Sequence, residues 1–218
     1  MPNYYPMMVD LTGRRCLVVG GGRVAERKVA LLLDCGAAIQ VVSPVTTPKL
    51  TALAAAGTIH LARRAVRPDD LTGAFLIFVA TDDPVVNHTV AVQAREAGGL
   101  VNVADAPDAC TFQVPSAVRR GDLTIAISTG GGSPALAKRL RQRIEATIGP
   151  EYEAFLAALR ELRALAREAV LDPVERRAIY RRALDSNLFD HAARGDRAAV
   201  KACIANLLSQ SGETADGN

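Results

Sequence analysis

Three consecutive glycines, Gly20-Gly21-Gly22, stand between the apolar run Cys16-Leu17-Val18-Val19 and an amphipathic segment over residues 24–33. No other feature of the chain restricts its fold so tightly. Side chains are excluded where a backbone bends sharply or is closely approached by another group. A strand, a glycine bend and a helix in that order form one βα unit of a parallel sheet. Within the bend, Gly20-x-Gly22-x-x-Ala25 has the G-x-G-x-x-G/A spacing of a dinucleotide-binding turn. Gly20 permits the turn, Gly22 lets amides approach a pyrophosphate, and Ala25 keeps the helix close to the strand. The amides of Arg23 and Val24 are the expected donors, because the dipole and free N–H groups of a helix start favour negative charge. A tight βα turn without a ligand would use the same glycines.

The alternation of short apolar runs with helical segments continues to about residue 105. Strands are expected at 16–20, 39–43, 58–61, 75–80 and 100–104, and helices at 24–33, 48–56 and 84–97. The run Phe75-Leu76-Ile77-Phe78-Val79-Ala80 is apolar on both faces and therefore central. A ribose-binding Asp or Glu should end the second strand, about 20 residues after the glycines. The chain has Ser43-Pro44-Val45 there. Ser43 can hydrogen-bond a ribose hydroxyl, and Pro44 and Val45 shape the adenine side, but the choice between NAD and NADP does not follow. Thr81-Asp82-Asp83 ends the central strand at the expected ligand crevice, with Asp82 and Asp83 also reading as helix N-caps. Asp105 follows the last strand at the same edge, and Asp before Ala106-Pro107 also reads as a turn residue.

After residue 105 the pattern changes. Residues 112–118 and 123–128 read as a β-hairpin turning at Arg119-Arg120-Gly121-Asp122, and from Pro134 the chain is almost wholly helical. Expected helices span about 134–148 and 151–170, then one opened by Asp172-Pro173, then 196–208. The fold class is thus α/β: a Rossmann-like parallel sheet over residues 1–111, an antiparallel hairpin and helix over 112–149, a helical domain over 150–210, and a disordered tail over 211–218.

Composition narrows the functional classes. A net charge of +3 over 218 residues does not suggest nucleic-acid binding, though local cations can still serve an anionic small molecule. Cys16, Cys35, Cys110 and Cys203 lack metal-ligand spacing, and His60, His88 and His191 are isolated, so no metal site is expected. The N-terminal MPNYYPMMVD has no basic segment followed by an apolar one, and no apolar run has the roughly 20 residues of a membrane span. The expectation is a reduced, cytoplasmic protein with no membrane partner.

Four stretches, Val18–Lys28, Phe78–Asn87, Leu100–Ser116 and Ala126–Glu145, read VVGGGRVAERK, FVATDDPVVN, LVNVADAPDACTFQVPS and AISTGGGSPALAKRLRQRIE. In order and spacing they resemble the precorrin-2 dehydrogenase / sirohydrochlorin ferrochelatase family of siroheme synthesis. The resemblance implies NAD-dependent oxidation of precorrin-2 to sirohydrochlorin, with insertion of Fe2+ in some members, by a homodimer built through the region equivalent to residues 112–148. It further implies that precorrin-2 is made by a separate enzyme, the methyltransferase module of the fused synthases being absent from these 218 residues. It places the Ala80-Thr81 backbone beside the nicotinamide and matches Asp105 to the family's catalytic aspartate. A carboxylate there could accept the proton that accompanies hydride loss if burial brought its pKa from about 3.9 toward neutrality.

The second glycine loop, Ser128-Thr129-Gly130 and onward to Ser133-Pro134, reads either as a joint leading into a helix or as a binder of the substrate's carboxylates. Arg119, Arg120 and Lys138 would attract the same polyanion, a solvated basic face being the simpler reading of each. A different class, an NAD-binding regulatory sensor without dehydrogenase activity, would need an acidic residue after strand two and no second glycine loop.

Overall fold

The computed structural model describes residues 4–210. The expected tail, 211–218, lies outside them. The chain divides into two compact units, Met1–Val114 and Pro115–Asn218.

The first unit is a parallel sheet of five strands: β1 (Arg15–Val19), β2 (Ala38–Val42), β3 (His60–Ala62), β4 (Leu76–Val79) and β5 (Leu100–Val103), in the order β3-β2-β1-β4-β5. Alternation along each strand divides its side chains between two cores. Cys16 and Val18 of β1 join Ala25, Val29 and Leu32 of helix α1 (Arg23–Leu33) on one face. Leu17 and Val19 join Val90, Ala91 and Ala94 of α3 (Pro84–Glu96) on the other. The spacing of Ala25, Val29 and Leu32 puts all three on one helical stripe, and full burial of Val29 or Leu32 is worth about 1.5–3 kcal/mol each. Helix α2 (Pro48–Ala55) begins at Thr47, whose hydroxyl accepts the Leu50 amide.

Strand order reverses at β1, between β2 on one side and β4 on the other, so the chain ends leaving β1 and β4 frame the ligand crevice of this topology. Below it, the sheet edge is braced by Asp70, which is 5% exposed. Its carboxylate receives both Nη1 and Nη2 of Arg64, each at 2.7 Å, and the Arg67 amide at 2.8 Å. The Arg64 guanidinium holds the Asp70 carboxyl below the usual carboxylate range.

In the second unit, β6 (Ser116–Arg120) and β7 (Leu123–Ile127) form an antiparallel hairpin. The strand expected from residue 112 begins only at Ser116, because Pro115 has no N–H to give a ladder. Arg119 and Arg120 lie in β6, and the turn is Gly121-Asp122, with Gly121 at φ +55°. The turn is held by an Arg160–Asp122 ion pair. Helix α4 (Pro134–Thr147) has Ser133 as its N-cap, as the sequence suggests.

Helices α5 (Glu151–Ala169), α6 (Pro173–Leu184), α7 (Leu188–Ala193) and α8 (Arg197–Ser209) enclose Leu162, Ile179, Leu188 and Ile204. The single helix expected after Asp172 is interrupted at Asp185-Ser186-Asn187. Ser186 gives its hydroxyl proton to the Ala183 carbonyl and accepts the Leu188 amide, replacing two helical bonds. No helix among the described residues is long and apolar enough to cross a membrane.

Candidate functional site

The glycine bend makes different use of its three residues. Gly20 has φ +118°, and a Cβ there would lie 2.2 Å from the Ala80 carbonyl oxygen. A Cβ on Gly21 would lie 2.0 Å from the Val45 carbonyl oxygen. Gly21 fills a variable position of the motif, so the spacing attached no requirement to it; the requirement comes from the β2–α2 loop, which crosses directly over it. That loop is fastened to the bend by the Thr47 amide, which donates to the Gly21 carbonyl at 2.9 Å.

A Cβ on Gly22 would meet nothing within 4 Å. Among the described residues, the amides of Gly22, Arg23 and Val24 have no acceptor, and Gly22 caps α1 without a side-chain bond. Unpaired amides at a helix start beside a space that a Cβ would begin to fill fit a bound diphosphate. A dinucleotide cofactor is thus compatible with the residues present.

The adenosine side differs from the expectation. Ser43 is 7% exposed, and its hydroxyl donates to the Val45 carbonyl at 2.6 Å. Its proton is therefore committed to the loop, and Ser43 acts here as a clasp. Pro44 and Val45 are exposed, Val45 at 77%, and offer an apolar rim.

At the end of β4, Asp83 is the N-cap of α3, accepting the amides of Val85 and Val86, whereas Asp82 caps nothing. Ala80 and Thr81 are half-buried. Thr81 is gripped by Asn87 from the first turn of α3: Asn87 Oδ1 accepts the Thr81 hydroxyl at 2.6 Å and its amide at 3.3 Å, and Nδ2 donates to the Thr81 carbonyl at 2.9 Å.

Beyond β5, the Ala104 amide donates to the Val79 carbonyl, so the following residue, Asp105, lies at the same sheet edge as Thr81. Asp105 has φ +58°, the one positive value on a non-glycine among the described residues. Left-handed backbone on an aspartate costs of the order of 1 kcal/mol and is found at turns and functional sites. Its side chain is exposed, so the burial on which the proton-acceptor expectation relied is not supplied by this chain alone.

The turn is held from behind by Cys110, whose thiol accepts the Val103 amide at 3.2 Å and lies 3.4 Å from the carbonyls of Val103 and Ala106. Beside it, Asn102 accepts the Lys28 amine at 3.3 Å and donates to the Phe112 carbonyl at 3.1 Å. Lys28 lies 5.2 Å from the Phe78 ring centroid. Burial, and secondarily the charge of Arg27, pushes its pKa below the usual lysine range. Asn87, Cys110, Asn102 and Lys28 escaped the sequence reading because a lone Asn, Cys or Lys carries no periodicity. Their inclusion in the quoted motifs was the only signal.

The remaining predicted residues belong to the second unit. The Ser128 hydroxyl accepts the Gly130 amide at 3.1 Å, and the Thr129 hydroxyl accepts the Ser133 amide at 3.1 Å. The loop therefore satisfies part of its own backbone. Arg119 and Lys138 are exposed. Arg120 is committed elsewhere: its guanidinium donates to the carbonyls of Ile148, Arg119 and Glu145, two of them at the C-terminal end of α4. The hairpin register pairs Arg119 with Thr124 and Ser116 with Ile127, so the arginines and the 128–130 loop occupy opposite ends of the hairpin. No group of three or more potential metal ligands occurs among the described residues.

An NAD(P)-binding family model matches residues 7–116, and a sirohaem biosynthesis protein central model matches residues 120–147. The siroheme synthase of Methylococcus capsulatus is 40% identical over 193 residues, covering 88% of this chain and 41% of that protein. Siroheme synthase 1 of Aeromonas salmonicida is 40% identical over 209 residues, covering 95% of this chain and 45% of that protein. The chain thus spans less than half the length of these curated relatives. Among solved structures, SirC, a precorrin-2 dehydrogenase, superposes with a TM-score of 0.80 at 30% identity, covering 94% of this chain and all of that one. With one model covering half of the sequence and a solved relative matched over its full length, the chain belongs to the NAD(P)-binding family of sirohaem biosynthesis proteins.

Proposed function

We propose that the chain oxidises precorrin-2 to sirohydrochlorin. One observation carries the reading: unpaired amides at the start of α1 and the strained Asp105 turn lie at the same edge of one sheet. Bound NAD+ supplies the hydride acceptor. Gly22, Arg23 and Val24 hold the diphosphate through their amides, and Pro44 and Val45 offer the adenine an apolar rim. Asn87 fixes Thr81, and with it the backbone beside the nicotinamide half. Asp105 accepts the proton that leaves as the substrate loses a hydride, so the reaction yields sirohydrochlorin, a reduced coenzyme and one proton.

Precorrin-2 is a polycarboxylate, and Ser128, Thr129, Gly130, Arg119 and Lys138 are the residues proposed to bind its carboxylates. Arg120, committed to the end of α4, is better read as a structural cap. Fe2+ is the proposed second substrate of an optional chelation step, in which the macrocycle gives up two N–H protons as the metal enters, one to Asp105 and one to solvent. A homodimer formed through residues 112–149 is favoured by an open, mostly apolar groove of about 580 Å³ lined by Ile125, Leu140, Arg143, Ile144, Thr147 and Ile148. All four cysteines are free thiols, which agrees with a cytoplasmic location.

The test is to mix purified protein with precorrin-2 and NAD+, with and without Fe2+, and follow NADH, sirohydrochlorin and its metal complex by absorbance. Coenzyme binding without NADH formation would leave the regulatory sensor as the better reading. Sedimentation velocity tests the dimer.

A further inference from the structure

The Asp105 carboxylate has no hydrogen-bond or ion-pair partner among the described residues. Nothing grips the group itself, so its direction is set by the backbone beneath it, which stands at φ +58°. Left-handed backbone on an aspartate persists only where the surroundings hold it. Three side chains from different segments do so here.

The first is Cys110. Its sulfur accepts the Val103 amide at 3.2 Å, and its single proton has two acceptors at 3.4 Å, the carbonyls of Val103 and Ala106. These residues flank the Ala104-Asp105 pair, so one thiol clamps the chain before and after the acid. A thiol alone is a weak clamp, because sulfur is a poor donor and a poor acceptor. Asn102 reinforces it, with Nδ2 donating to the sulfur at 3.6 Å and to the Phe112 carbonyl at 3.1 Å.

Asn102 is oriented in turn by Lys28, whose amine donates to Oδ1 at 3.3 Å. An ammonium accepts no hydrogen bond, so this contact fixes which end of the amide faces Cys110. Lys28 has no carboxylate partner among the described residues, and its charge rests on Asn102 and the Phe78 ring. A long cationic side chain ordinarily carries its charge out to water, yet this one is half-buried. Burial lowers its pKa, and Cys110 is near enough to act on the same charge in the opposite direction. Lys28 belongs to α1, the helix whose first amides are proposed to hold the diphosphate. The cluster thereby joins the coenzyme helix to the turn that carries the acid.

We propose that Lys28, Asn102 and Cys110 act together as positioning residues for Asp105, keeping its carboxylate directed at the substrate proton it accepts. This rests on the reading of Asp105 as the proton acceptor. The effect of the cluster runs through the turn rather than through contact with the reacting atoms.

The test is kinetic. Cys110→Ala and Lys28→Met remove the polar contacts and leave an apolar side chain, whereas Cys110→Ser and Lys28→Arg restore a donor. With precorrin-2 and saturating NAD+, kcat for NADH formation should fall about tenfold or more in the first pair, because a misplaced reacting group slows the chemical step. The conservative pair should recover most of that loss, and the NAD+ dissociation constant by calorimetry should stay within about twofold throughout. In an Asp105→Gly background the same substitutions should cost less than about twofold, since residues that act through one group are not additive. Thermal melts establish folding, and Cys110→Val and Lys28→Leu replace any member of the first pair that does not fold. If Asp105→Gly loses turnover while Cys110→Ala and Lys28→Met keep theirs, or if their losses are as large without Asp105 as with it, the positioning role is wrong and the proton acceptor stands. If Asp105→Gly itself turns over normally, the proton-acceptor reading falls and this one with it.

Discussion

Asn87 holds both backbone polar groups of Thr81, accepting the Thr81 amide and hydroxyl at Oδ1 and donating from Nδ2 to the Thr81 carbonyl. One side chain at the start of α3 thereby sets the path of the chain leaving β4. The arrangement ties helix α3 to the sheet edge at which the coenzyme is proposed to react.

Replacing Asn87 tests that link. Asn87→Asp keeps the acceptor but loses the donor and turns a carboxylate toward the Thr81 carbonyl. We expect a loss of about 1–3 kcal/mol in unfolding free energy, with weaker NAD+ binding by calorimetry. Unchanged affinity in a folded variant would show that Thr81 does not position the coenzyme.

The glycines separate folding from binding. Gly21→Ala drives a Cβ into the Val45 carbonyl and should lower Tm severely or prevent folding. Gly22→Ala meets open space with φ −82°, which alanine accepts, and should cost less than about 1 kcal/mol. It should nevertheless weaken NAD+ binding by about tenfold or more, because the methyl group enters the space beside the free amides. Thermal melts together with titrations distinguish the two outcomes.

Asp105→Gly separates strain from chemistry. Glycine accepts φ +58° freely, so stability should change by no more than about 1 kcal/mol. NADH formation with precorrin-2 should fall by about 100-fold or more if Asp105 is the proton acceptor. Near-normal turnover in a folded Asp105→Gly protein would reduce the residue to a turn former.

Acid should act on the sheet edge through Asp70. Its folded pKa lies below the unfolded value of about 3.9, chiefly because of the Arg64 hydrogen bonds. Its contribution to stability is therefore present above that value and is lost as pH falls through the lower, folded pKa. Asp70→Asn should lower Tm at neutral pH by the equivalent of about 1–3 kcal/mol. The difference from the unaltered protein should shrink as pH drops below about 4. Paired melts across that range are the check.

The parallel sheet, the glycine bend and the helix starts at Pro84, Pro134 and Pro173 were all readable along the chain. Each depends on neighbours only a few residues apart: alternating apolar positions in β1, a cap at Asp83, Ser133 or Asp172, and prolines confined to first turns. Gly20, Gly22 and Asp105 were legible for the same reason, since a motif or a strand end announces them locally.

Contacts between distant segments were not legible. That Gly21 is the glycine under the Val45 carbonyl, that Ser43 and Arg120 are committed to backbone, and that Lys28 meets Asn102 depend on which strands become neighbours and in what register. A pairing 20 residues away leaves no mark on local spacing. It exists only after burial of both sheet faces has selected one order of strands, because only then does a polar group meet the partner that satisfies it.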